Sequence, residues 1–377
     1  MSRTLITGGA GFIGSRLALQ LIEGGHEVRV VDTLSPQIHG EHPERSDLYQ
    51  SIAGKVDFVQ ASVTDRAAMT AALADVDAVV HLAAETGTGQ SMYRIEHYSA
   101  VNIGGTALML DILANMAHRV KRFVVASSRS VYGEGKYRSP ELGVVYPGPR
   151  NAADMETGDF AVKYPGAVAP LQLLATDEES KLHPSSVYGI TKQVQEQMVM
   201  TVCPTIGIEP VAFRYQNVFG PGQSLSNPYT GILSIFSTLI LNGQPINIFE
   251  DGLESRDFVY VDDVVRATVL GIEHAGAAGG IFNVGTGVSI SVLDVAEALG
   301  RHLGRPSEHW ISGNYRAGDI RHNHACTQRI RDRLGFVPEW DFERGICAFA
   351  EWVRASSPTV SAYQDSLREM RDRGLLK

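Results

Sequence analysis

The chain has 377 residues, 44% of them hydrophobic, which is enough for one large α/β domain or two ordinary ones and too apolar for a disordered chain. Its 33 basic residues against 42 acidic ones leave a net charge of −9, which argues against nucleic acid or an anionic membrane as partner while allowing a local basic site for phosphate. Cys203, Cys326 and Cys347 form no CxxC pair, so neither a disulfide framework nor a zinc ribbon is expected, and a reducing compartment, by default the cytoplasm, fits.

The first strand begins by residue 4 without a basic leader, and no apolar stretch reaches 18 residues, so neither a signal peptide nor a membrane span is expected. Residues 4–7 read as a strand, 12–23 as a helix, 27–32 and 56–60 as strands, 66–74 as a helix, 78–83 as a strand, 101–116 as a helix and 123–126 as a buried strand. This alternation predicts a Rossmann-type, doubly wound parallel sheet with helices on both faces. Residues 133–184 carry Pro, Gly and Tyr with no sustained period and read as a long irregular insertion.

Order returns at SSVYGITKQVQEQMVM, a helix with Val187, Ile190, Val194 and Met198 on one side. A strand at 211–215, a helix at 232–241, a strand pair near 246–249 and 256–261, and a helix at 263–273 follow. Ser291 with Asp294 predicts a capping box for a helix over 292–303. The expected organisation is a dinucleotide-binding domain over 1–185 containing the insertion. Residues 186–377 then supply the remaining Rossmann elements interleaved with a smaller C-terminal substrate lobe.

Chemistry concentrates at strand ends. TLITGGAGFIGS sets Gly8, Gly11 and Gly14 between the first strand and first helix, suited to a tight turn, a close approach to pyrophosphate and helix packing on the strand. Asp32 closes the second strand, where a carboxylate accepts both ribose hydroxyls and repels a 2′-phosphate, so NAD is favoured over NADP. In PSSVYGITK, Tyr188 and Lys192 are four apart and project from one helix face. A phenol is a poor base alone, but a neighbouring ammonium and a positive nicotinamide favour phenolate, making Tyr188 a plausible proton acceptor.

These pieces, together with VVHLAAE, AVNIGGT, SSRSVYG, RYQNVFGPG, RDFVYVDD, FNVGTG and RAGD, resemble the extended short-chain dehydrogenase/reductases that act on nucleotide sugars, the epimerase/dehydratase family. The likeness spans about residues 3–350, and DTLSPQIHG with HLAAETGTGQSMY looks most like the dTDP-L-rhamnose 4-epimerase subgroup. The resemblance implies that Ser128 binds the sugar 4-hydroxyl, Tyr188 takes its proton and Lys192 holds the nicotinamide ribose. It also implies cofactor contacts from Gly8, Gly11, Phe12, Ile13, Gly14, Asp32, Ser62, Val63, Leu82, Ala83, Ala84 and Asn102. For the nucleotide-diphosphate sugar it implies Glu85, Thr86, Ser128, Arg129, Ser130, Asn217, Ile232, Asn247, Phe249, Arg256, Arg316 and Asp319, the arginines gripping phosphate oxygens in pairs. Two departures stand out: Ser62 replaces an Asp common near the adenine, and Thr86 replaces a Lys that some epimerases carry.

The family's dehydratases carry Asp and Glu after the Ser or Thr, where this chain has Arg129 and Ser130. Neither residue can act as that acid/base pair, so dehydration is disfavoured and C4 epimerisation by transient oxidation is expected. A reductase or dehydrogenase with net NAD(H) turnover, or an NAD-binding regulator without turnover, are the alternatives. Homodimerisation through helices 101–116 and 186–200 is what the resemblance implies.

Other features have plainer readings. His322, His324 and Cys326 alternate in HNHAC as ligands on a strand would, but no fourth ligand is apparent and no metal is expected. Glu85 could face the sugar or merely start a loop. RIRDRLGF reads as a solvated helix face, and YQDSLREMRDRGLLK as an amphipathic tail or frayed helix, with subunit contact as the lesser option.

Overall fold

A computed structural model describes residues 2–225, 227, 231–316, 318–356 and 363–377. Its centre is a seven-stranded, all-parallel sheet. In chain order the strands are β1 (Arg3–Thr7), β2 (Glu27–Asp32), β3 (Asp57–Gln60), β4 (Ala78–His81), β5 (Arg122–Ser128), β6 (Glu209–Tyr215) and β7 (Gly280–Val284). Their spatial order is β7-β6-β5-β4-β1-β2-β3. The order reverses direction at β1 and β4, which opens a crevice outside the carboxyl ends of the strands.

The strands read as continuous apolar runs because both faces are covered. Leu5, Val31, Val79, Phe123, Val125 and Ala212 enter the core on one face. Their chain neighbours Ile6, Val30, Val80, Val124, Val211 and Phe213 enter the core on the other. Each such side chain contributes roughly 1.5–3 kcal/mol by leaving water.

Helix α1 (Phe12–Glu23) connects β1 to β2, and α2 (Gly105–Asn115) leads from the β4 end toward β5. The helix expected from residue 101 begins as a π-helical stretch, Ser99–Gly104, which widens the turn around Asn102. Helix α3 (Val187–Thr205) lies against β5 and β6. Its buried face is Gly189, Thr191, Lys192, Gln195, Glu196 and Val199. The apolar stripe read from the sequence instead leaves Ile190 47% exposed and Val187, Val194 and Met198 half-buried. Polar residues took the inner face because they bond one another and the strand ends.

The insertion is less irregular than its sequence suggests. Tyr137–Ser139 pairs antiparallel with Gly143–Val145 and with Gln172–Leu173, and Ala152–Glu156 is helical. The strands expected to pair near 246–249 and 256–261 do not meet. Ile246–Ile248 pairs with His309–Ile311, Ser255–Arg256 lies between Ile290–Ser291 and His322–Asn323, and Phe258–Tyr260 pairs with Asn217–Phe219. Segments distant in sequence won these pairings, which local periodicity cannot reveal. The capping box forms as read: Asp294 N donates to Ser291 Oγ at 3.1 Å and Ser291 N to Asp294 Oδ2 at 3.0 Å. The last segment forms α4 (Tyr363–Asp372), with Leu367 and Met370 buried.

Candidate active site

The β1–α1 turn is shaped by glycine. Gly8 has φ +71°, and a Cβ on Gly14 would come within 2.3 Å of the Gly8 carbonyl oxygen, so the helix can sit this close only without a side chain there. Gly11 caps α1 with no side-chain bond, which leaves the first N–H groups of Phe12 and Ile13 for an anion. Asp32 ends β2 with Oδ2 accepting from Ala10 N at 3.0 Å and Oδ1 from Leu34 N at 2.9 Å, fixing the carboxylate beside this turn. Leu82, Ala83 and Ala84 follow β4, and Ala83 N donates to Thr7 Oγ1 at 3.3 Å. Ser62 and Val63 follow β3, with the Ser62 and Thr64 hydroxyls 2.8 Å apart and Val63 buried against Gly105. This cradle fits a dinucleotide: an uncapped helix end for the pyrophosphate and a fixed carboxylate for ribose hydroxyls.

Asn102 joins the β4 end to α3. Its amide donates to Glu85 O at 3.1 Å and Thr191 Oγ1 at 2.9 Å, and its oxygen accepts from Glu85 N at 2.8 Å. The Glu85 carboxylate meets His97 Nε2 at 3.1 Å, and the Thr86 carbonyl accepts from the Tyr98 hydroxyl.

Ser128, Tyr188 and Lys192 come together where β5 meets α3. Burial raises the Tyr188 phenol above its ordinary value, opposed by a hydrogen bond with Ser128 and by the charge of Arg129. Burial pushes Lys192 down to about 7, and its Nζ donates to Ala126 O at 2.9 Å. Ser130 Oγ donates to Ser128 Oγ at 2.9 Å. Behind them, Arg214 Nη2 pairs with Glu196 Oε1 at 2.5 Å, and Glu196 Oε2 accepts from Ser127 Oγ at 2.6 Å, tying α3 to β5 and β6.

Arginines dominate the opposite wall. Arg129 Nε donates to Asn217 Oδ1 at 2.6 Å, and burial, aided by nearby Arg256, pushes its guanidinium down to about 9. Arg256 Nη2 donates to Asp319 Oδ1 at 3.1 Å. Burial raises Asp319, but Arg256, Arg316, Arg129 and Arg150 outweigh it and hold the carboxyl below the usual range. The Arg316 guanidinium lies 4.9 Å from the Phe249 ring centre. A cleft runs between these groups, with Arg129, Ser130, Ser186, Arg316 and Asp319 among its walls.

The predicted residues do not all converge. Ile232 starts its helix and packs on the main core, while Asn247 sits in the strand pairing with Trp310, its Oδ1 buried without a partner among the described residues. The loop 223–232 is described only in part, because residues 226 and 228–230 lie outside the described set. In HNHAC, His322 Nδ1 meets Ser255 Oγ at 2.8 Å and Asn323 is fully buried, so the segment serves as a sheet strand. Sequence reasoning missed Arg150, which reaches from the insertion to donate to Asp319 O at 3.1 Å and to both oxygens of Glu250. An isolated arginine in an aperiodic stretch gives no signal. It also missed Met92, Met370 and Leu375, which line the cleft.

A parallel sheet that turns through glycines into a helix, with a fixed carboxylate on the next strand, defines a dinucleotide-binding enzyme fold. The profile of the NAD dependent epimerase/dehydratase family matches residues 4–152 and 163–285, and the chain belongs to that family. A dTDP-L-rhamnose 4-epimerase of Burkholderia thailandensis is 37% identical over 353 residues, covering 93% of this chain and 94% of the relative. The UDP-glucose 4-epimerase of Thermotoga maritima, solved with UDP-glucose, superposes with TM-score 0.76 at 29% identity, covering 94% of this chain and 99% of that one. The Thermus thermophilus UDP-glucose 4-epimerase, solved with NAD, gives TM-score 0.74 at 25% identity, covering 94% and 99%.

Proposed function

We propose that the protein is an NAD-dependent nucleotide-sugar 4-epimerase acting on a dTDP-6-deoxy-L-hexose of the dTDP-L-rhamnose type. The observation that carries this is the Ser128–Tyr188–Lys192 cluster with no acid/base carboxylate pair beside it: among the described residues lining the cleft, Asp319 is the one carboxylate, and arginines hold it ionised. Identity to a dTDP-L-rhamnose 4-epimerase supports the substrate class.

Ser128 orients the sugar 4-hydroxyl and Tyr188 takes its proton. Lys192, when charged, favours the phenolate and holds the nicotinamide ribose. The glycine turn, Phe12 and Ile13 receive the pyrophosphate, Asp32 the adenosine ribose, and Ser62, Val63 and residues 82–84 line the cofactor's path. Bound NAD supplies the reversible acceptance of a hydride from C4. Arg129, Arg256 and Arg316 hold the diphosphate while the oxidised sugar turns and presents its other face.

A homodimer through α2 and α3 belongs to the same reading. Sedimentation at twice the chain mass is the expected result. A cytoplasmic location fits three unpaired cysteines. The deciding experiment is NMR of the sugar after incubating NAD-loaded protein with dTDP-L-rhamnose and UDP-glucose. A product inverted at C4 without net NADH is expected. Stoichiometric NADH absorbance without an epimer overturns the proposal.

A further inference from the structure

The C-terminal residues form a strap across the cleft. At one end, Glu369 Oε2 accepts from the Tyr93 hydroxyl at 3.1 Å, and the Arg373 guanidinium lies 4.2 Å from the Tyr93 ring centre. At the other, Leu376 bridges antiparallel to Arg316, with Tyr315 N donating to Lys377 O at 2.9 Å and Lys377 N to Tyr315 O at 3.0 Å. Between these fastenings the chain turns at Gly374, φ +67°, and Leu375 N donates back to Met370 O at 2.9 Å. Met370, 4% exposed, and Leu375 thereby become walls of the cleft.

They line the cleft together with Ser130, which bonds Ser128, and Ser186, which caps the helix that carries Tyr188. Met370 lies beside Gly89, where a Cβ would come 3.5 Å from its sulfur, and Gly89 belongs to the short helix Thr88–Ser91. Ser91 Oγ accepts from Tyr188 N at 3.0 Å, which sets that helix against the start of α3. Met92 adds a third apolar side chain to the same cleft. A sugar hydroxyl buried among two thioethers and a leucine loses its water without gaining a comparable partner, whereas a methyl gains contact.

We propose that Met370 and Leu375 of the C-terminal strap are specificity-determining residues that, with Met92, seat the C6 methyl of a 6-deoxyhexose and reject its 6-hydroxyl counterpart. The inference rests on the reading that the cleft takes a nucleotide sugar. It adds where the deoxy carbon is recognised, on a segment beyond residue 285, at which the family match ends.

The test measures both binding, by calorimetry on NAD-loaded full-length protein, and C4 turnover, by NMR. The substrates are dTDP-L-rhamnose and the otherwise identical dTDP-sugar with a 6-hydroxyl. Wild type is expected to favour the methyl sugar by about tenfold or more, the scale on which apolar pockets discriminate. The double variant Met370→Ala, Leu375→Ala should lose about tenfold of that preference at unchanged NAD content. Met370→Leu should retain it, and Met370→Gln, close in volume, should shift binding toward the hydroxyl sugar even if the double variant folds poorly. Equal preference in wild type and Met370→Gln, or none in wild type, overturns the inference. A preference in binding that follows Met370 while no C4 epimer forms would sustain the strap and reject the epimerase reading.

Discussion

The two halves of the proposed site are built by different means. The dinucleotide half uses main chain and short-range geometry: Gly8 to Gly14, Asp32 bonded to Ala10 and Leu34, and Tyr188 one helical turn from Lys192. The half proposed for the sugar uses long side chains from segments far apart: Arg129, Arg150, Arg256, Asp319 and Met370. A main-chain site tolerates only side chains that leave its backbone in place, while a side-chain site can be retuned residue by residue. One cofactor with many sugars across a family is what this division permits.

Breaking the first half should have the largest effect. Tyr188→Phe removes the proposed proton acceptor and should lower kcat by about 10²–10⁴-fold, read by NMR of C4 inversion, with NAD retention little changed. Wild-type turnover in that variant would remove Tyr188 from the chemistry.

The seam between the halves comes next. Arg214 and Glu196 are each 2% exposed, so Glu196→Leu leaves a buried guanidinium without its carboxylate, with only Tyr132 OH and Glu178 O as acceptors, and should cost about 3–5 kcal/mol in urea unfolding. A loss below about 1 kcal/mol, the scale of a surface pair, would mean that water reaches Arg214.

The side-chain half should respond differently. Arg129 is disfavoured as a cation by burial and by Arg256, so Arg129→Met should leave the substrate-free protein as stable as wild type or more so. KM for the nucleotide sugar should still rise about 10–100-fold, since hydrogen bonds to charged groups are worth about 1.5–3 kcal/mol. Destabilisation without a change in KM would make Arg129 structural.

Near neutral pH the smallest effect is an acid one. Burial, then the charge of Lys192, lowers His81 to about 3, and its ring nitrogens meet Thr7 Oγ1 at 2.7 Å and Thr106 Oγ1 at 2.9 Å. Between the unfolded value near ~6.5 and 3 the unfolded chain binds the extra proton, so stability falls as pH drops, by at most about 1.4 kcal/mol per unit. His81→Asn should flatten that arm of the urea midpoint against pH. An unchanged slope would assign it to other groups.

What could be read in advance follows the same division. The β1–α1 turn, the Tyr188–Lys192 spacing and the Ser291–Asp294 cap each lie within a few residues of sequence, and Asp32 closes an apolar strand run, so local periodicity and residue type disclose them. The buried face of α3 was misread because hydrophobic spacing points inward by default, and here Lys192, Gln195 and Glu196 occupy the interior. Arg150 and the strap were invisible because nothing in an aperiodic insertion or a charged tail encodes contact across the molecule. Tyr93 and Glu369 bond across 276 residues of chain.

By itself, then, the sequence determined the parallel sheet, its glycine turn and the one-turn spacing of Tyr188 and Lys192, because strand runs and helical spacing act over one or two turns of chain. Only the tertiary structure decided which arginines share Asp319, which short strands pair, and that Met370 and Leu375 close the cleft. Those contacts join segments whose meeting depends on how the whole chain packs, and no local pattern carries that information.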